Sequence, residues 1–211
     1  MLKRQSYHKM MRTQMKVAVL DILNHILKMT SDYLAYLAKP SDDKKALLLD
    51  QEKYIDQSEQ KINDMILELI TLQPLTKDDV KELFGIGRIA GQLERVGDQL
   101  INLLTISEGE DVEVLKPVVE SFFKYEYDMM EWLLKGIKNE DAELLKKVIR
   151  YDEHVNKLNI GTYESLVHSV EEHQEITGSN LKTIIAGRFL ERLGDYLVTI
   201  AKTFIDILEN K

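Results

Sequence analysis

The chain has 211 residues, 44% of them hydrophobic and 30% charged, with a formal net charge of −8 and no Cys. That length carries a substantial core as one large domain or two small ones, and the composition is that of a soluble globular chain rather than a disordered one. The acidic balance argues against general nucleic-acid binding, which needs a cationic footprint, and the lack of Cys excludes disulfides and thiolate metal sites.

The opening "MLKRQSYHKMMRTQMK" is polar throughout and lacks the apolar segment of a secretory signal. No run approaches the ~20 apolar residues needed to span a bilayer, so a cytoplasmic location is expected. Met15, Val19, Ile22, Ile26, Met29, Tyr33 and Tyr36 then follow at steps of four and three, the seam of a bundle helix. This predicts a first helix over about 5–38, ended by "KPSDDK" with Pro40. A second, about 43–72, carries "EKYID" and so places Glu52 and Asp56 one turn apart. It stops at "LQPLTKDD" with Pro74, and a third helix over about 77–105 contains "LERVGD", residues 93–98.

"SEGEDVEVLKP", with Pro117, separates this from a fourth helix over about 112–137. Val118, Phe122, Tyr125, Met129 and Trp132 are read as its seam. "GIKNEDA" offers Asn139 as the cap of a fifth helix over about 140–175, which holds "DEHVN" with Asp152 and Asn156. "EITGSN" offers Ser179 as the cap of a sixth over about 180–209, which holds "LERLGD". Period-two alternation is nowhere sustained, so the expected class is all-α. The near-identical hexamers each lie in the third helix of a set of three, which predicts an internal duplication. Two tandem three-helix bundles with antiparallel neighbours follow, residues 1–108 and 109–211, joined near 106–116.

Glu94 and Asp98 fall at one edge of the apolar arc of Leu93, Val96, Leu100, Ile101 and Leu104; Glu191 and Asp195 take the same place beside Leu190, Leu193, Leu197 and Val198. Two half-desolvated carboxylates one turn apart repel and require a compensating cation, either a metal or an Arg. If the second helix packs on the third, Glu52 and Asp56 join Glu94 and Asp98, and Asp152 and Asn156 join Glu191 and Asp195. All-oxygen sets suit hard cations such as Mg²⁺, Mn²⁺ or Ca²⁺ and can hold iron or zinc. Arg188 shares a face with Glu191 and Asp195, whereas the matching position in the first half is Gly91. The first cluster therefore needs a cation more than the second. Gly97 and Gly194 cost ~1 kcal/mol each inside a helix, which signals close approach by a neighbouring helix or an ion-bridged loop. Arg95 and Arg192 are expected in interhelical or surface ion pairs.

The five histidines form no ligand pattern, and His154 lies on a different face from Asp152 and Asn156. His8, His25, His168 and His173 are read as solvated or core-edge residues. No phosphate loop, nucleophile–base pair or dinucleotide fingerprint is present, so no catalytic residue is expected. Two other readings compete with a regulator: a di-metal carboxylate enzyme, which usually carries a Glu-x-x-His pattern absent from these clusters, and a purely structural helical module whose acids only solubilise it.

The paired hexamers, with "EKYID" and "DEHVN" on the preceding helices, resemble the PhoU family over nearly the whole chain. The resemblance implies two E/D-x-x-x-D elements per repeat, matched by Glu52/Asp56, Glu94/Asp98, Asp152 and Glu191/Asp195, with Asn156 departing from the final Asp. It further implies a divalent or trivalent metal cluster, with Mg, Mn, Fe and Zn not distinguished and the first repeat favoured. The implied role is negative regulation of phosphate uptake and of the phosphate-starvation response, without enzymatic turnover. The implied partners are the phosphate ABC transporter's ATPase, a phosphate sensor histidine kinase and a second copy in a homodimer. The location implied is cytoplasmic, with the inner face of the membrane reached only through those partners.

Overall fold

A computed structural model describes residues 2–72, 74–108, 112–173 and 176–209. Six helices account for nearly all of them: α1 (Leu2–Ala38), α2 (Asp42–Leu72), α3 (Lys77–Ile106), α4 (Val112–Asn139), α5 (Ala142–His173) and α6 (Gly178–Glu209). No strand occurs among the described residues. The middle of the expected junction, 109–111, and the expected end of the fifth helix at 175 lie outside them.

Each turn stops one helix and starts the next by local hydrogen bonding. The Ser41 hydroxyl accepts from Lys44 N–H at 3.4 Å at the start of α2. Thr76 and Asp79 form a reciprocal capping box at α3, each side chain accepting from the other's backbone N–H at 3.1 and 2.9 Å. Asp79 also pairs with Arg12, reaching across from α1.

The caps of the last two helices differ from expectation. Asn139 ends α4, Glu140 takes a left-handed φ of 56°, and Asp141 N–H donates to Gly136 O at 2.9 Å. Asp141, not Asn139, then caps α5, accepting from Glu143 and Leu144 N–H at 2.9 and 3.2 Å. Ser179 lies inside α6, and Thr177 caps it by accepting from Asn180 N–H at 3.1 Å. In both cases the expected residue is itself helical, and one two positions away, outside the helix, caps instead. Pro117 lies within the early part of α4, inside the expected span of 112–137.

α1, α2 and α3 pack on one another, as do α4, α5 and α6, and the two bundles join by α3 against α6 and α1 against α4. Their buried side chains form one continuous cluster from Met11 to Ile207. The expected seam of α1 is buried at every position, from Met15 to Tyr36. Each fully buried Leu, Ile or Phe in it contributes roughly 1.5–3 kcal/mol relative to an exposed one.

The seam of α4 is rotated from the expected one. Leu115, Val119, Phe122, Glu126, Met129 and Leu133 face the core, while Val118, Tyr125 and Trp132 are only partly buried. A carboxylate stands in the middle of the buried stripe, and a reading that follows apolar residues alone slides past it onto Tyr125. Tyr125 and Trp132 instead pack against Tyr151 at 5.6 and 4.7 Å between ring centroids, at the α4–α5 edge.

Candidate metal-binding acid clusters

Close helix contact brings the expected acids together. A Cβ at Gly97 would stand 3.3 Å from Ile55 Cδ1, and one at Gly87 would stand 3.2 Å from Ile66 Cδ1, so α2 lies close along α3. Gly97 is thus explained by a neighbouring helix. Ile55, fully buried, sits between Glu52 and Asp56 in sequence and holds α2 in the register that turns both acids toward the α3 margin.

The electrostatics show that these carboxylates feel one another. Burial lifts Glu52 above its ordinary value, with the charges of Asp56 and Asp98 adding to the effect. Glu94 is raised by burial, then by Asp98 and Asp56. Asp98 is raised by burial, then by Asp56, with Arg95 opposing. Glu59, which sequence reasoning did not single out, adds to the charge facing Glu94. Among the described residues, no Lys or Arg forms an ion pair with Glu52, Asp56, Glu94 or Asp98. Arg95 instead lies 6.0 Å over the ring of Tyr196, the residue that follows the α6 hexamer, across the bundle interface, rather than forming the expected ion pair.

In the second bundle, Asn156 Nδ2 donates to Asp152 Oδ2 at 2.9 Å. Arg188 Nη1 donates to Glu191 Oε2 at 3.3 Å, as the shared face predicts; the structure shows this bond for Glu191 and none to Asp195. A Cβ at Gly194 would stand 3.1 Å from Asp152 Oδ1 and 3.2 Å from Val155 Cγ1. Asp152 is raised chiefly by burial, then by Asp195; the Asn156 bond opposes this. Compensation here is by direct bonds, from an amide and a guanidinium, where the first bundle has only the more distant charges of Lys53 and Arg95.

Glu126 on α4 is the residue that the sequence reading missed. It is fully buried, and neither carboxylate oxygen has a hydrogen-bond partner. Burial pushes it well above the usual carboxylate range, with Asp152 as the charge that adds to the effect. Position, not composition, could have revealed it: Glu126 is four residues after Phe122 and three before Met129, on the buried face. Asn159 Oδ1 on α5 is likewise buried without a partner, 3.4 Å from where a Cβ at Gly187 would stand.

Two of the histidines stack on aromatic rings. His25 stacks on Tyr54 at 4.0 Å and His154 on Tyr125 at 5.2 Å, while the side chain of His173 lies outside the described residues. Among the described residues, no three His, Asp or Glu side chains converge as placed on a single ion-sized point. What the arrangement provides is oxygen donors on facing helices, with Glu52, Glu94, Asp98 and Asp152 raised by burial and then by neighbouring carboxylates. Oxygen donors of this kind are the type that hard cations prefer, and the two oxygens of Glu126 are buried without a hydrogen-bond partner.

Comparison with known proteins gives a consistent picture. The sequence model of the PhoU domain matches twice, over residues 19–106 and 119–204. The chain is 24% identical over 194 residues to the phosphate-specific transport system accessory protein PhoU homolog of Borreliella burgdorferi, covering 86% of each chain. It is 20% identical over 168 residues to the PhoU accessory protein of Escherichia coli, covering 78% of this chain and 70% of that one. The crystal structure of PhoU from Pseudomonas aeruginosa superposes with a TM-score of 0.85 at 21% identity, covering 96% of this chain and 99% of the other.

Proposed function

The chain belongs to the PhoU family, and on that footing we propose that it is an accessory protein of phosphate transport that restrains phosphate uptake and the phosphate-starvation response. It acts as an adaptor between the phosphate ABC transporter's ATPase and a phosphate sensor histidine kinase, as a single chain or a homodimer, in the cytoplasm. Its regulatory work requires no turnover. No described helix is long and apolar enough to cross a membrane, so contact with the transporter runs through a protein surface.

The observation that supports a metal-dependent adaptor is the gathering of Glu52, Asp56, Glu94 and Asp98 on the packed helices α2 and α3 with no ion pair among the described residues, three of them raised by burial and then by like charge. Those four residues would hold a cation in the first bundle; Asp152, Glu191 and Asp195, with the neutral oxygen of Asn156, would hold one in the second. A divalent or trivalent cation, Mg, Mn, Fe or Zn, would supply the positive charge that neutralises the acids. The first cluster is the better occupied, because Gly91 provides no substitute for the Arg188 of the second. Once neutralised, the α2–α3 and α5–α6 surfaces can meet a partner without like-charge repulsion.

Retention of the phosphate transporter's ATPase on the immobilised chain tests this reading. Binding should hold in Mn²⁺ and fall away in EDTA. Binding that ignores EDTA would remove the metal from the adaptor role.

A further inference from the structure

The two bundles do not draw their carboxylates from the same helices. In the first, Glu52, Asp56, Glu94 and Asp98 come from α2 and α3. In the second, the α5 partner of Asp56 has become Asn156, and a carboxylate stands on α4 instead. Glu126 lies as far before Asp152 as Ile26 lies before Glu52, and both Ile26 and Glu126 are fully buried. An apolar core position in one bundle is thus an acid in the other, in the same bundle where an acid has become neutral.

Glu126 is not explained by the fold. Ile26 shows that the position accepts a branched aliphatic side chain. Both oxygens of Glu126 lack a partner, and the charged group beside it is Asp152. Neither cation near the cluster serves it: Arg188 bonds Glu191, and Lys202 acts on Asp152. A fully buried carboxyl with neither oxygen partnered, on the helix packed against the one that carries Asp152, is a pair of oxygens that a cation can take. Asp152 is itself half-buried and backed by Asp195, which is exposed and opens the cluster to solvent.

We propose that Glu126 is a ligand of the second bundle's cation site, with Asp152 and the α6 acids, so that a hard divalent ion binds there between three helices rather than on a two-helix surface. This rests on the metal reading of the clusters given above. The carboxylate that Asn156 removes from the rim is replaced from the core, and the second site is the more enclosed of the two. Enclosure leaves fewer coordination positions to water and makes the site depend on a residue outside the paired E/D-x-x-x-D elements.

Mn²⁺ titration of the full chain, by calorimetry and by the free-ion EPR signal, tests the assignment. The E94Q/D98N variant removes the first site and leaves the second to be read alone. In that background E126Q should weaken Mn²⁺ binding by about tenfold or more, as loss of a ligand costs at least what loss of its supporting groups does. Unchanged affinity would overturn the proposal. If E126Q loses its far-UV helical signal, E126I decides, since the first bundle folds with Ile at that place. Adding N156D to E126I should restore binding by returning a carboxylate to α5. A failure to restore would mean that Glu126 acts only through the fold, and the proposal falls. An intact chain that binds no Mn²⁺ ends the metal reading itself. Binding by the intact chain but not by E94Q/D98N ends only the assignment made here.

Discussion

Gly194 of α6 lies so close to Asp152 of α5 that a Cβ on the glycine would stand 3.1 Å from Asp152 Oδ1, with the branched Val155 Cγ1 at 3.2 Å on the same side. The repeated hexamer keeps its glycine because the helix bearing one half of the acid cluster must approach the helix bearing the other. Gly97 plays the same part against Ile55.

The two glycines should respond differently to alanine. Gly→Ala inside a helix gains ~1 kcal/mol of propensity, while an added methyl in a packed contact costs about 1–3 kcal/mol. At Gly97 the neighbour is the far end of an Ile side chain, which can turn aside. At Gly194 it is Val155, stiff at χ1, together with a carboxylate. Gly97→Ala is predicted to leave the melting temperature unchanged or slightly raised, and Gly194→Ala to lower it by a few degrees while displacing Asp152. Thermal melts of both variants check this; a stabilised Gly194→Ala would contradict it.

The capping box of α3 predicts a pH signature. Asp79 is held below its ordinary value, chiefly by the Thr76 side chain, with Arg12 helping. A depressed acid stabilises the fold above its unfolded value and loses that contribution as the pH falls through the folded one. Thr76→Ala should cost ~1 kcal/mol, or about 2–4 °C for a chain of this size. Asp79→Asn should destabilise at neutral pH, and the difference from wild type should close below the unfolded value of 3.8. A penalty that persists in acid would show that the cap acts by shape rather than charge.

The acid clusters predict the opposite sign. Glu52, Glu94 and Asp98 are all raised, so their folded forms bind protons more tightly than the unfolded chain does. Their contribution is present below the ordinary carboxylate values and is lost as the pH rises through the raised ones. In metal-free protein, E94Q/D98N should therefore melt higher than wild type at pH 7, and the gap should narrow toward acid. Saturating Mn²⁺ should narrow or reverse the gap, because the wild type gains binding at both sites and the variant only at the second. A variant that melts lower at pH 7 without metal would mean that these acids are structural.

Arg188 separates local compensation from cation binding. Its bond to Glu191 is exposed on the Arg side and is worth at most about 1 kcal/mol of stability. Arg188→Ala should leave the melting temperature nearly unchanged and tighten Mn²⁺ binding in the second bundle, because Glu191 is released. Weaker binding would place Arg188 among the structural supports of the site.

Much of the fold was legible because helix periodicity and turn residues act locally. The six helix spans follow from apolar spacing and breaks, and the α1 seam from Met15 to Tyr36 is buried as its spacing requires. Caps were harder: Asn139 and Asp141, like Thr177 and Ser179, are neighbouring residues with equal capping chemistry, and backbone conformation chooses between them. The acids on α2, α3, α5 and α6 were legible because i, i+4 spacing fixes their faces. Glu126 was not, because a buried carboxylate breaks the apolar pattern used to find the buried face. Arg95 was misread for another reason: its partner, Tyr196, lies across an interface that no local spacing encodes.

The central claim is that the acid cluster carries restraint of phosphate uptake. Labelled phosphate uptake in phosphate-replete cells lacking the protein, complemented either by the intact chain or by E94Q/D98N, tests it most directly. We predict unrestrained uptake in the deletion, restraint restored by the intact chain, and no restraint from the variant despite equal abundance. Restraint restored equally by both would contradict the account.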